Sequence, residues 1–413
     1  MLCHHTVPDS RVPGRVLIVG GGVAGMHAAL NLAALEVPTL LVEKNAHLGG
    51  MVMRLDKVYP TDHCAFCPAW STARQCYDSP LVQVLLHTEV VGLSTDGEGI
   101  RAELKMHRPA VDPTLCLFCG ACRNSCSREA LLERDPAMTW DPSLPPAMCI
   151  DQERCDRCRQ CVSACPVGAI TLDAGEECVS VAVEDVIYAT GFEEVLPGDP
   201  RHAPEFGIGS HPDIFTAMEF EAWNNESRGE CVLCTRSDGR PAKRIAFIQC
   251  AGARDRRHLP YCAAVCCMHA MKQARWLKRR QPELDISLFY TDLRAPGVGQ
   301  EMYMMAGAAE GVRLLRSRPG LVMAAGSTGV GVRYETPENG RPVGEKFDLV
   351  VVNGGLGQCP LPNAFSDKNG RATTHYKCGF CDEPADVAGS VIQGAATAVA
   401  VAHRLRATAG GAA

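Results

Sequence analysis

The chain has no surplus of positive charge and no long apolar run, and its first residues give no reason to expect export. Its 413 residues carry 41 Lys and Arg against 47 Asp and Glu, a formal net charge of −6. Nothing electrostatic therefore argues for a nucleic-acid partner. No run approaches the length that crosses a bilayer. Residues Met1–Ser10 lack the apolar core of a secretory leader. A cytoplasmic protein is expected, with any attachment to a membrane face made through partners. An apolar fraction of 46% is enough to pack the two or three domains that this length suggests. The surplus is in cysteine, with 23 residues. A disulfide scaffold would be short and exported, so the thiols read as metal ligands in a reducing compartment. So many cluster thiolates also suggest an anaerobic or microaerobic life.

Two cysteine runs organise the chain. Cys116–Cys126 reads CLFCGACRNSC, and Cys155–Pro166 reads CDRCRQCVSACP. Both have the spacing C-x2-C-x2-C-x3-C of a bacterial two-cluster ferredoxin, in which the fourth Cys of each run ligates the other cluster. Soft thiolates suit iron–sulfur cubes. Cys116, Cys119, Cys122 and Cys165 are assigned to one 4Fe–4S cluster, and Cys155, Cys158, Cys161 and Cys126 to the other. Zinc sites or structural thiols are the alternative, which two tandem matches disfavour. Ser127 stands where the first run would carry its proline. Cys149 and Cys178 have no assigned role.

The first apolar run, Arg15–Val19, leads directly into Gly20-Gly21-Gly22-Val23-Ala24-Gly25, then a helical pattern to about Leu35 and a second run, Pro38–Val42, ending in Glu43. Strand, G-x-G-x-x-G, helix, strand, acid is the dinucleotide-binding fingerprint in its required context. Gly20 permits the tight turn, Gly22 the approach of the backbone to a pyrophosphate, and Gly25 close packing of helix on strand. The helix N-terminus, at Val23 and Ala24, attracts the diphosphate. Glu43 is placed to accept from the adenosine ribose. Lys44–Gly50 (KNAHLGG) continues into the glycine pair Gly49-Gly50. That extension resembles FAD enzymes with two dinucleotide-binding domains, such as thioredoxin reductase. Val186–Phe192 (VIYATGF) is similar to their ATG segment, with Thr190 and Gly191 beside the cofactor. Lys377–Gln393 is similar to their last FAD segment, with Gly379 and Val391 near the flavin. Val90, in Glu89–Val90, is expected to end the strand that touches the adenine.

Leu55–Cys76 holds Cys64, Cys67 and Cys76 and leaves three readings open: a further cluster with a ligand such as Cys3, Cys231 or Cys234, a redox dithiol of Cys64 and Cys67, or idle thiols. Lys243–Gln249 opens a second β–α unit. Cys250-Ala251-Gly252-Ala253-Arg254-Asp255 then stands where an NADPH loop would carry its glycines. Cys262, Cys266 and Cys267 follow. The four cysteines read as a third 4Fe–4S site in place of NADPH, with a buried-thiol core as the alternative. Arg254, Arg256 and Arg257 either offset cluster charge or form a solvated face. The fold class expected is α/β, a thioredoxin-reductase-like flavoprotein with an inserted ferredoxin. Its divisions are residues 1–106, 179–240 and 346–413 for the FAD domain, 107–178 for the ferredoxin and 241–345 for the second domain. Within these, 193–240 reads as a connection, Asp348–Asn353 as the return to the FAD domain and Ser390–Leu405 as the last helix.

LGGMVMRLDKVYPTDHCAFC, IAFIQCAGARD, LPYCAAVCCMHAMKQA, FYTDLRAPGVGQEMY and PADVAGSVIQGAATA, with the ferredoxin insert, resemble the heterodisulfide reductase A family. That family includes the corresponding component of the quinone-interacting membrane-bound oxidoreductase. The resemblance implies FAD, a cluster on Cys250, Cys262, Cys266 and Cys267, and an electron-transfer role. It also implies partners like the B and C components of either complex, possible exchange with ferredoxin, and a homodimeric or hetero-oligomeric assembly. Longer members carry an extra N-terminal domain and a second ferredoxin that this sequence lacks, so a shortened relative in a bacterial complex is expected. Flavin-based bifurcation is a family possibility. The rival is an NAD(P)H oxidoreductase resembling the glutamate synthase small subunit, or a scaffold whose clusters only stabilise assembly. Without a second glycine turn the backbone cannot approach a dinucleotide diphosphate. Excess NADH or NADPH, mixed anaerobically with the protein, should leave the flavin absorbance unbleached. Rapid stoichiometric bleaching would promote the glutamate-synthase-like alternative.

Overall fold

The computed structural model describes residues 15–45, 47–95, 99–112, 114–126, 138–141, 147–150, 155–173, 175–195, 206–226, 234–326, 329–361 and 375–410. Among these, two five-stranded parallel sheets are built alike. In the first, Val16–Val19 lies between Asp185–Tyr188 and Thr39–Val42, with Tyr376–Lys377 and Val82–Leu85 at the edges. Every side chain of Val16–Val19 is buried because both faces are covered. Val16 and Ile18 meet the helices Val23–Ala34 and Val387–Gly410. Leu17 and Val19 meet the antiparallel sheet of Thr88–Thr95, Ile100–His107 and Glu176–Val183. The two helices approach closely because Gly394 faces Ala24, where a Cβ would sit 2.4 Å from the Ala24 carbonyl oxygen.

The second sheet runs Ile214–Thr216, Leu349–Val352, Arg244–Ile248, Asp285–Phe289, Val312–Leu315. The helix Cys266–Arg280 packs Met268, Met271 and Ala274 on one face, and the antiparallel strands Leu321–Ala324, Val330–Glu335 and Pro342–Phe347 cover the other. The cysteine insert leaves from the end of Ile100–His107 and returns at Glu176–Val183, and these strands pair from His107↔Glu176 to Ile100↔Val183. The excursion is thus closed by its own hairpin. Cys178 lies on the returning strand, exposed.

Several expectations change. Leu349–Val352 belongs to the second sheet, between Ile214–Thr216 and Arg244–Ile248, so residue 346 does not mark the return to the first domain. A short apolar run reads as a buried parallel strand, but only pairing decides which sheet receives it. Residues 193–240 are not merely a connection: Phe192–Glu194 pairs with Leu356–Gln358, and Ile214–Thr216 with the helix Ala217–Glu226 completes the second domain. Glu89 and Val90 lie near the start of a strand rather than at its end, because left-handed His87 (φ 50°) separates them from Val82–Leu85. The last helix starts earlier, at Val387. Cys3, Ser127 and Cys231 lie outside the described residues.

The domains are joined by a buried polar hub. The Glu221 carboxylate accepts from Lys272 Nζ at 2.5 Å, Gln273 Nε2 at 2.9 Å and the Asp56 amide at 2.9 Å, with His269 Nε2 at 3.2 Å. Lys272 also donates to the Lys57 carbonyl at 3.0 Å, and Asp62 from the same loop pairs with Arg279 at 2.7 Å. Lys272 and its hydrogen-bonding neighbours hold the Glu221 carboxyl far below the usual range against its burial. Lys272→Met would leave that charge buried with its cation gone. A loss of about 3–5 kcal/mol is expected, read as a lowered denaturant midpoint; an unchanged midpoint would show that the hub does not hold the domains.

Candidate functional site

The glycine turn after Val16–Val19 is built around contacts that no side chain would survive. Gly20 has φ +109°, and a Cβ there would lie 2.4 Å from the Ala189 carbonyl oxygen; at Gly25 it would lie 1.9 Å from the Gly20 oxygen. Gly22, which precedes the helix Val23–Ala34, differs: a Cβ would meet nothing within 4 Å. The space in front of it is where a pyrophosphate on this helix N-terminus would stand. Gly49 and Gly50, both left-handed, fold back on the turn, with the Gly49 amide donating to the Gly21 carbonyl at 2.8 Å and a bridge from Gly22 to Gly49. The buried Glu43 accepts from the Gly21 amide at 2.7 Å and from Asn45 at 2.7 and 2.9 Å. A carboxylate has about four lone-pair sites, so it retains capacity for a ribose hydroxyl. Lys44 is exposed beside it.

Gly191 (φ +74°) and Gly379 (φ +72°) bring the other two predicted cofactor segments to the same turn. A Cβ on Gly191 would project into open space, and one on Gly379 would touch the Ala24 Cβ at 2.6 Å. Thr190 Oγ1 is buried with no hydrogen-bond partner in the protein, and a cofactor oxygen or nitrogen would satisfy it. Val391 lies half-buried in the helix Val387–Gly410. The Val90 side chain points into the core, leaving only its main chain for a ligand. This donor set and cradle fit FAD.

The insert repeats one local design. In each half the amide two residues after the first cysteine donates to its sulfur: Phe118 to Cys116 Sγ and Arg157 to Cys155 Sγ, both at 3.4 Å. Both donors are left-handed, at φ 52° and 56°. Short helices follow, burying Cys122 and Cys161, whose thiols are pushed up by burial and also by their neighbours Cys116 and Cys119, or Cys155 and Cys158. One cavity is lined by Cys116, Cys119, Cys122 and Cys165 together with Met148, Val111 and Ile170. The fourth cysteine of the second run therefore meets the first three of the first run. Cys126 and Cys161 share the insert's core. Amide-to-sulfur bonds and apolar lining are what a 4Fe–4S cluster requires of its protein.

The second domain carries the same device. The Ala264 amide donates to Cys262 Sγ at 3.4 Å, and Ala264 has φ 61°. Cys250 is itself left-handed at φ 59°, where a nucleotide loop would have glycine. Of the nine described non-glycine residues with positive φ, six lie in the three cysteine segments, and strain of this kind gathers at functional sites. Burial lifts the Cys250 thiol, with Cys262 adding to it; burial lifts Cys267 to about 12 and Cys266 well above its ordinary value, each also repelled by other members of the four. The structure thus gathers Cys250, Cys262, Cys266 and Cys267 in one corner at the start of the helix Cys266–Arg280. Gln249, one residue before Cys250, is buried with both side-chain amide atoms lacking a partner in the protein. The corner fits a cluster. Among the described residues no three His, Cys, Asp or Glu side chains converge as a single-ion site would require; a cube spreads its thiolates over separate irons.

Two phenylalanines connect the cofactor segments to this corner. Phe192 follows Gly191, Phe380 follows Gly379, and their rings meet with centroids 4.7 Å apart. They share an apolar cluster with Leu356, Ala263, Val265 and Cys266. Neither phenylalanine is conspicuous in the sequence, although both stand directly after the predicted glycines. The other thiols separate. Cys76 is wholly buried against the helix Val23–Ala34, its thiol pushed up to about 12 by burial. Cys64 is half-buried and Cys67 exposed at the start of the helix Phe66–Asp78, so Cys76 does not join them. Cys234 packs in the core of the second domain, and Cys378 and Cys381 in opposite cores of the first.

A family of FAD dependent oxidoreductases matches residues 15–63, and a 4Fe-4S binding domain matches 148–171. One of the iron-sulfur A subunits of CoB–CoM heterodisulfide reductase from Methanopyrus kandleri is 33% identical, over 96% of this chain and 65% of that protein. The A subunit of H2:CoB-CoM heterodisulfide,ferredoxin reductase from Methanothermobacter marburgensis is 31% identical, over 84% of this chain and 54% of that protein. Over most of its own length the chain is homologous to the A subunits of heterodisulfide reductases. It spans between about half and two thirds of the length of these relatives. Thioredoxin reductase from Lactococcus lactis aligns with a TM-score of 0.52 at 16% identity, over 95% of this chain and 98% of that one. That from T. acidophilum gives 0.50 at 13% identity, over 95% and 99%. The expected thioredoxin-reductase-like fold with a 4Fe–4S domain is thus the observed one. No helix among the described residues is long and apolar enough to cross a membrane.

The open space at Gly22 makes a clean test of the cradle. Gly22→Val should fold, because a Cβ there meets no protein atom within 4 Å, yet occupy the pyrophosphate position. FAD content should fall more than about tenfold, the effect of losing about 1.4 kcal/mol or more of binding, with cluster absorbance retained. Full FAD content would refute the placement.

Proposed function

We propose that this chain is the FAD- and iron–sulfur-binding electron-transfer subunit of a complex like heterodisulfide reductase or the quinone-interacting oxidoreductase. The observation that carries the reading is the corner of Cys250, Cys262, Cys266 and Cys267, reached from the FAD segments through Phe192 and Phe380. Gly20, Gly22, Gly25, Glu43, Gly49, Gly50, Thr190, Gly191 and Gly379 would hold FAD. Cys116, Cys119, Cys122 and Cys165 would hold one cluster of the insert, Cys155, Cys158, Cys161 and Cys126 the second, and the corner a third. FAD supplies exchange of electrons singly or in pairs, and each cluster supplies exchange of one.

The protein's own contribution is placement and environment. Phe192, Phe380, Leu356 and Val265 exclude water from the ground between the FAD segments and Cys266. The Glu221–Lys272 hub fixes the helix that starts at Cys266 against the loop Asp56–Asp62 of the FAD domain. Amide donors to Cys116, Cys155, Cys262 and, at 3.3 Å, from Ala169 to Cys165 Sγ would tune the potential of a cluster held there. The domain division follows this use: an FAD unit, a ferredoxin closed by the hairpin of Ile100–His107 and Glu176–Val183, and a second α/β unit ending near Val352. Partner subunits of the B and C type, exchange with ferredoxin, and bifurcation belong to the same proposal, as does attachment to a membrane face through a partner. The NAD(P)H-dependent alternative is disfavoured by Cys250 in the place of a glycine turn.

Anaerobically purified protein should contain about twelve irons per FAD, four for each cluster. Cys266→Ser with Cys267→Ser should remove one cluster's EPR signal and leave FAD and the ferredoxin signals. About eight irons in the unmodified protein, or no change in the double variant, would remove the third cluster.

A further inference from the structure

Five arginines ring the four-cysteine corner of a chain whose net charge is −6. Arg318 Nη2 donates to the carbonyl of Ala251, next to Cys250, at 3.2 Å. It also lies 3.5 Å from Asp255, which Arg257 holds at 2.8 Å. Across the corner Cys267 Sγ lies 3.7 Å from the Asp292 carbonyl, and the Asp292 carboxylate sits between Arg294 at 3.3 Å and Arg254 at 3.7 Å. Arg256 is exposed in the same loop. Among the described residues, Asp255 and Asp292 form ion pairs with four of these arginines, and Glu194 adds negative charge near Cys266. The side chains of Arg257 and Arg294 are 63% and 50% exposed, and pairs so exposed contribute little to stability. Arg254 and Arg318 lie near enough to Cys250 to counter the charge there. The side chains of Arg256, Arg257 and Arg294 face solvent, and the Arg294 backbone amide lies against Cys267.

We propose that this arginine rim is the docking face for the acidic surface of an electron-carrier protein. The inference rests on the corner's holding a cluster, because docking there is useful only if an electron can leave or arrive. The net charge of the whole chain would repel an acidic carrier. Within a Debye length, about 8–10 Å at ordinary ionic strength, the local excess of cations governs instead. Rim charges of this kind set encounter rate, orientation and salt dependence. A small dinucleotide is a poorer fit, because the loop that would cradle its diphosphate contains left-handed Cys250 and Arg254 in place of a glycine turn.

The test uses the complete protein with FAD and clusters loaded. Its affinity for a strongly acidic two-cluster ferredoxin is measured anaerobically at about 0.02 M and about 0.5 M salt, with a basic cytochrome c as the charge control. R256E/R257E/R294E should weaken ferredoxin binding by about tenfold at low salt, and R294Q alone by roughly threefold. The difference should vanish at high salt, with iron and FAD content unchanged and no wild-type preference for the cytochrome. Equal ferredoxin binding by wild type and both variants would overturn the proposal. So would displacement of ferredoxin by NADPH, which would assign the rim to a small diphosphate. Failure of the cluster reading is separate: it would appear as an unchanged EPR spectrum in the Cys266/Cys267 serine variant, whatever the rim binds.

Discussion

Thiols buried together are the constraint on which this structure depends. Four thiols share the corner of Cys250, Cys262, Cys266 and Cys267, and burial drives three of them away from ionisation. As bare thiolates they would repel one another in a medium that screens poorly. Such a set makes physical sense around a core of positive charge with amide donors aimed at the sulfur. The backbone is bent accordingly: left-handed Cys250, Arg254 and Ala264 turn the loop so that amides and sulfurs face one place. The insert solves the same problem with the same turn at Phe118 and Arg157.

The rest of the architecture holds three such groups of sulfur, and the FAD cradle, in fixed relation. Each α/β domain sandwiches its parallel sheet between helices and a three-stranded antiparallel sheet. The insert is carried on that antiparallel layer in the first domain, so its removal or addition leaves the parallel sheet untouched. The second domain is fastened by Glu221 and Lys272, which bond the Asp56 amide and the Lys57 carbonyl at the middle of the helix Cys266–Arg280, and by Arg279 near its end, which pairs with Asp62. Phe192 and Phe380 fill the space between. An electron path needs constant distance and a dry interior more than it needs an acid, a base or a nucleophile.

The chain itself determined the chemistry that short-range spacing can carry. C-x2-C-x2-C-x3-C states its ligands because a loop and one helical turn bring them together locally. G-x-G-x-x-G followed by Glu43 states a nucleotide turn because the turn, its helix and the acid lie within one β–α–β unit; Gly25 meets the Gly20 carbonyl inside that unit, whereas Gly20 meets Ala189, just after a distant strand. What tertiary structure alone decided is where distant pieces meet. Leu349–Val352 reads as a buried strand in any sheet, and only its pairing with Arg244–Ile248 gives it to the second domain. Cys76 stands with Cys64 and Cys67 as a candidate ligand in the sequence, and only packing makes it, like Cys378 and Cys381, a core thiol. The contact of Phe192 with Phe380 and the approach of Arg294 and Arg318 to the loop that carries Cys250 and Arg254 join residues far apart in sequence. Such contacts depend on how distant loops pack within each domain, and no local periodicity or spacing encodes that.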